Sequence, residues 1–173
     1  AKRAARHEFD VVIAAGGDGT LHEVINGLLR HPSPPKLGIL PAGTSNDFAH
    51  ALNIPRDLNA ACQVIVEGKT RYVDVGRWNQ RYFINAAAAG RLSEITFEAP
   101  SKLKTVMGPL AYYLKALEQL GTLHKTFSLK LKTAERSWQE ELLLLIIANS
   151  VHVAGFEKLA PAASLSDGRF DVL

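Results

Sequence analysis

Successive β/α units on a parallel sheet, followed by a mainly β part, are expected of this 173-residue chain, and three features carry the expectation. Two short apolar runs, Phe9 to Ala15 and Leu37 to Leu40, each lead through a glycine-bearing turn into a helical pattern. Beyond Thr70 the texture changes to strand-like runs and turn residues, which places a boundary near residue 72. A hydrophobic content of 47% supplies enough apolar surface for a core without approaching a membrane-protein composition.

The first run, FDVVIAA, is rich in β-branched residues and stops at Gly16-Gly17, as a strand buried in a parallel sheet would. A helix follows at once. Thr20 and Glu23 have the spacing of a capping box, and Leu21, Val24, Ile25 and Leu28 recur at helical intervals to make one apolar face. The proline-rich HPSPP interrupts the chain before the second strand, which ends in Pro41-Ala42-Gly43-Thr44 and a helix from Asp47 to Leu52. Asp57 as N-cap and Gly68 as stop frame a third helix. In the second part, Arg71 to Gly76 and Tyr82 to Ala89 flank Trp78-Asn79-Gln80 as a hairpin. Phe127, Leu129 and Leu131 alternate with polar residues as a strand with one wet face, and Trp138 to Ala148 is a candidate to pair with it. Between them, Gly108 to Leu120 carries a helical apolar face.

Composition narrows the classes further. The longest aliphatic run, Leu142 to Ala148, is far short of the roughly 20 residues that span a bilayer. A single cysteine, Cys62, cannot form an internal disulfide and is expected as a small buried residue, so a reducing cytoplasm is the expected compartment. Six scattered histidines lack the spacing of a zinc site, and His22 and His31 are expected as exposed polar positions. The formal charge of +3 suits an anionic substrate or membrane surface; no nucleic-acid partner is expected. Lys102, Lys104 and Lys115 near Leu103, Val106, Met107 and Leu110 form either a lipid-contacting face or a solvated one.

The chemistry-bearing segment is Gly16-Gly17-Asp18-Gly19-Thr20, where a strand end meets a helix start. Free backbone N–H groups and the helix dipole favour phosphate oxygens there, and glycine lets the backbone come close. The loop lacks the G-K-[ST] ending of a P-loop and the third glycine of a dinucleotide fingerprint. Asp18 would repel a phosphate unless a cation lies between them or the carboxylate takes a proton from an attacking hydroxyl. The alternative is an acid that only favours a helix N-terminus.

GGDGTLHEVINGL followed by PAGTSNDFA closely resembles the catalytic domain shared by diacylglycerol kinases, sphingosine kinases and bacterial lipid kinases. Further matches in VDVGRWNQRYFINAAAAG, PSKLKTVMGPLAYYL and SLSDGRFDVL extend the resemblance over nearly the whole chain. It implies a Rossmann-like three-layer β/α domain over residues 1–72 that binds ATP, then a β-sandwich-type domain with an inserted helix over 73–173. By position it implies that Gly16, Gly17, Asp18, Gly19, Thr20, Leu21, His22 and Glu23 hold the ATP phosphates and that Thr44 contacts the nucleotide. Asn46 and Asp47 are expected to cap the next helix and shape the turn. Asp74 matches an acid that faces Asp18 and reaches magnesium through water; its alternative is a strand-end carboxylate in solvent. Ser164, Asp167 and Arg169 match a magnesium site, and SLSDGRF taken alone reads as a tight turn.

The implied activity is ATP-dependent phosphorylation of a lipid hydroxyl with Mg²⁺, diacylglycerol being the first choice of acceptor. A sphingoid base, phosphatidylglycerol, a soluble metabolite, or a regulatory module that binds nucleotide without turnover are the alternatives. Peripheral contact with the inner membrane face and a homodimer are further expectations. The chain departs from the family in lacking the first strand with its Asn-Pro-type loop and the later Asp-Gly-Glu motif, so the general base is expected beyond Leu173 and this stretch alone is expected to bind weakly or lack activity. FINAAAAG has alanines where relatives carry bulkier residues, which bears on the shape of the lipid pocket.

Overall fold

The computed structural model describes residues 1–7, 9–90, 126–133, 135–153, 155 and 159–173. Their elements run α1 (Lys2–Arg6), β1 (Val11–Gly16), α2 (Asp18–Leu28), β2 (Lys36–Pro41), α3 (Asp47–Ala51), α4 (Leu58–Glu67), β3 (Gly76–Trp78), β4 (Arg81–Phe83), β5 (Ala86–Gly90), β6 (Phe127–Lys132), β7 (Ser137–Leu142), β8 (Leu144–Ala148) and β9 (Asp171–Val172). The fold is a mixed α/β one. The chain divides into two compact units, Ala1–Ala87 with Ala148–Asp171, and Ala88–Ile147 with Val172–Leu173. The helix expected from Gly108 to Leu120 and the lysines at 102, 104 and 115 lie outside the described residues.

In the first unit, β1 and β2 pair in parallel from Val11↔Lys36 to Gly16↔Pro41, with α2 as the crossover. Leu21, Ile25 and Leu28 are buried on α2, and Leu21 and Ile25 join Ala14, Ile39, Phe48, Ile84 and Leu165 in the core. β1 is not buried on both faces: Val11 and Ile13 are 42% and 52% exposed, while Ala14 is inside. The helix α2 also starts earlier than a capping box requires. Gly17 is its N-cap with no side-chain cap bond, which leaves Thr20 in the first turn and Glu23 exposed.

α4 follows its local signals closely. Asp57 accepts from the Ala60 N–H at 2.9 Å, and Gly68 closes the helix at φ 69°, a left-handed conformation that glycine adopts without a Cβ penalty. Cys62 faces outward and is exposed; its neighbour Ala61 takes the fully buried position. β3 and β4 make a two-residue hairpin with Asn79 at φ 54°. Asn26 of α2 clasps this hairpin, accepting from the Tyr82 N–H and donating to the Tyr82 carbonyl, both at 2.8 Å.

In the second unit, β6 and β7 pair antiparallel from Phe127↔Leu142 to Lys132↔Ser137, with Phe127, Leu129 and Leu131 on the less exposed face. The expected single partner from Trp138 to Ala148 is two strands. The run breaks at Leu143, and β8 instead lies in a sheet of order β5-β8-β9. Among the described residues no helix is long and apolar enough to cross a membrane.

Candidate active site

The site is built where β1 and β2 end side by side. Helical geometry leaves the first N–H groups of α2 without internal acceptors. The first bond of the turn is Leu21 N–H to the Gly17 carbonyl at 3.0 Å, so the N–H groups of Asp18, Gly19 and Thr20 point out of the helix end. Gly19 has open space around its Cα, and Thr20 and Glu23 are exposed. His22 is partly exposed. Leu21 differs from its neighbours: it is 2% exposed, its side chain is in the core, and its N–H is already bonded.

Two glycines bring the Pro41-Ala42-Gly43-Thr44 turn against this loop. A Cβ on Gly17 would come within 3.1 Å of the Gly43 Cα, and a Cβ on Gly43 would collide with the Gly17 backbone. Any side chain at either position would hold the loops apart. Gly16 is equally restricted, since a Cβ there would meet the Thr20 side chain. The turn is stiffened from inside by Asn46, which is buried and left-handed at φ 54°; it accepts from the Gly43 N–H at 2.9 Å and donates to the Gly43 carbonyl at 2.8 Å. Asn46 therefore shapes the turn, as expected, while its side chain makes no cap bond to α3. Arg56 braces the outer side, donating to the carbonyls of Thr44 at 2.9 Å and Ser45 at 3.3 Å. Thr44 itself is exposed beside the loop.

Asp18 supplies the missing cap. Its two carboxylate oxygens accept from the N–H groups of Asp47 and Phe48, each at 3.0 Å, so it closes the amino end of α3 from another element. Asp47 accepts from the Gly155 N–H at 2.9 Å. Burial lifts the Asp47 carboxyl above its usual 3.8, and the nearby Asp18 charge pushes the same way, while the Gly155 N–H and the charges of His152 and His50 oppose the shift.

Asp74 is anchored separately, to the turn at 164–169. Its N–H donates to the Leu165 carbonyl and its Oδ2 accepts from the Gly168 N–H, both at 2.7 Å. That turn is held by Asp167, which accepts from the Arg169 N–H at 3.0 Å, and by Gly168 at φ 75°; Ser164 is partly buried. The structure thus brings Asp74 together with the Ser164–Arg169 segment, two features that are distant in sequence. Its remaining oxygen, Oδ1, makes no hydrogen bond among the described residues. Among those residues no three His, Cys, Asp or Glu side chains gather to hold a metal. Each carboxylate by itself is a donor of the kind Mg²⁺ uses, one or two carboxylates with several waters: Asp74 Oδ1 has no hydrogen bond among the described residues, and each Asp18 oxygen retains a lone pair.

Sequence reasoning missed Arg56 and Asn149. An arginine in a loop and an asparagine after an aliphatic strand carry no local sign of the distant carbonyls they reach.

With this geometry in view, residues 1–78 match the diacylglycerol kinase catalytic domain family. The chain is 47% identical over 173 residues to a diacylglycerol kinase of Staphylococcus epidermidis, covering 100% of this chain and 54% of that protein. It is 49% identical over 173 residues to a diacylglycerol kinase of Staphylococcus aureus strain Newman, covering 55% of it. A crystal structure of a diacylglycerol kinase from Bacillus anthracis superposes with a TM-score of 0.76 at 29% identity, covering 99% of this chain and 55% of the other. The chain spans about half the length of these relatives.

Proposed function

We propose that this chain is the ATP-binding part of a lipid kinase that transfers the γ-phosphate of ATP to a lipid hydroxyl, with diacylglycerol as acceptor and phosphatidic acid as product. The observation that carries the reading is the row of N–H groups at Asp18, Gly19 and Thr20 that lack an acceptor among the described residues, set against the glycine-packed turn at Gly43. In this reading the α2 amino end holds phosphate oxygens, Thr44 meets the nucleotide, and Asp18 and Asp74 orient the hydrated cation side of the phosphates. Bound Mg²⁺ would supply charge neutralisation between phosphate oxygens. The Ser164, Asp167 and Arg169 turn is proposed to hold a second such ion through the Asp167 carboxylate and backbone carbonyls. The two parts of the chain are read as a Rossmann-like nucleotide domain and a β-sandwich-type lipid domain. The net charge of +3 supports work at the anionic inner face of a membrane, in a cytoplasmic protein.

The full-length protein should transfer label from ATP to diacylglycerol vesicles, and Asp18→Asn should abolish transfer; an unimpaired mutant sinks the mechanism. A panel with phosphatidylglycerol, sphingoid bases and soluble alcohols identifies the acceptor. One observation favours a second reading. Both Asp18 oxygens already serve α3, which suits a nucleotide-binding regulatory module that lacks turnover. Calorimetric ATP binding with no transfer at full length would select that reading.

A further inference from the structure

We infer that Asn149 is a positioning residue that sets the direction of the Asp74 carboxylate. β3 and β4 have their last rung at Gly76↔Phe83, and the two chains then diverge. Asn149, fully buried, sits at this divergence. Its Nδ2 donates to the Asp74 carbonyl at 3.0 Å and the Ile84 carbonyl at 2.8 Å, and its backbone N–H donates to the Asn85 carbonyl at 2.8 Å. One residue therefore gathers three carbonyls where the ladder has ended.

The effect on Asp74 follows from which groups are held. Its N–H is tied to the Leu165 carbonyl and its C=O to Asn149, so the peptide planes on both sides of its Cα are fixed. With Oδ2 held by the Gly168 N–H, the direction of Oδ1 is set by the backbone that Asn149 anchors. Stability alone does not explain an amide here. Asn149 Oδ1 is buried with no partner among the described residues, a cost that an apolar side chain of similar size would avoid. The two Nδ2 bonds are what the amide adds, and one of them goes to Asp74.

This inference rests on the reading of Asp74 as an acid that orients hydrated magnesium beside ATP. The test compares the full-length wild type, Asn149→Leu and Ser150→Ala. Ser150 is the adjacent buried control: its hydroxyl bonds Asn85 Oδ1 at 2.5 Å and the His152 carbonyl at 2.9 Å, away from Asp74. Magnesium is titrated into each protein with a non-hydrolysable ATP analogue, followed by calorimetry, and thermal midpoints are recorded alongside. Loss of a residue that orients a ligand's partner typically weakens metal binding by about 10- to 100-fold, so the magnesium requirement of Asn149→Leu should rise at least about tenfold. Ser150→Ala should lose thermal stability with no such rise. An unchanged requirement in Asn149→Leu, or an equal rise in both variants, overturns the inference. Should Asn149→Leu fail to fold, the side-chain amide resonances of Asn149 in the wild type decide: they should shift on adding magnesium and the analogue, and an absence of movement overturns the inference. A wild type without magnesium-dependent nucleotide binding fails earlier and takes the kinase reading with it.

Discussion

Asp18 and Asp47 are joined through backbone, the carboxylate of the first accepting the N–H of the second at 3.0 Å, with Phe48 N–H on its other oxygen at 3.0 Å. An acid at the start of one helix thereby caps another, and the GGDGT and PAGTSNDFA segments are tied together by two hydrogen bonds.

Replacing Asp18 by asparagine leaves one acceptor and turns an NH₂ toward an N–H. Loss of the charge-assisted cap should destabilise the protein by about 1–2 kcal/mol, measured by urea unfolding, in addition to the loss of transfer expected above. An Asp18→Asn protein of wild-type stability would remove the capping role.

Gly43→Ala places a methyl group against the Gly17 backbone. The Gly17 backbone cannot swing aside as a side chain would, and the Asn46 Oδ1 that crowds the same space is tied to the Gly43 N–H. A cost of about 1–3 kcal/mol is expected, together with weakened ATP binding, because the α2 amino end and the Thr44 turn would separate. Gly19→Ala, where a Cβ meets nothing within 4 Å, is the control for backbone crowding.

The raised Asp47 carboxyl has a definite consequence for pH dependence. Its folded form takes up a proton more readily than its unfolded form, so ionisation lowers stability as pH rises through the window above 3.8. The stability difference, wild type minus Asp47→Asn, should therefore grow as pH falls through that window and level off below 3.8. Unfolding curves at a series of pH values check this, and a slope of the opposite sign contradicts it.

Asn26→Ala removes the clasp on the hairpin and leaves the Tyr82 N–H and carbonyl without their partner. About 1–3 kcal/mol of destabilisation is expected. Hydrogen exchange at the Tyr82 amide should accelerate, and an unchanged rate would show that the hairpin holds itself.

Elements whose signals act within a few residues were legible from the chain alone. Asp57 and Gly68 bracket α4 because capping involves groups one turn away, and Asn79 makes the β3–β4 hairpin because a left-handed turn is a local property. The apolar face of α2 and the β/α succession through GGDGT and PAGTSNDFA were readable for the same reason. The chain did not disclose relationships between distant residues. A capping box at Thr20 and Glu23 was plausible by spacing, yet the cap that formed belongs to Asp18 and a helix 29 positions further on, a bond that exists only once β1 and β2 lie parallel. The burial of Cys62 was misjudged because helical periodicity gives a face but not which face meets the core, and Ala61 took that place. Asn149 reached Asp74 across 75 positions for the same reason: hydrogen bonds between remote segments are chosen by chain topology, which brings together groups whose own neighbours carry no sign of the meeting.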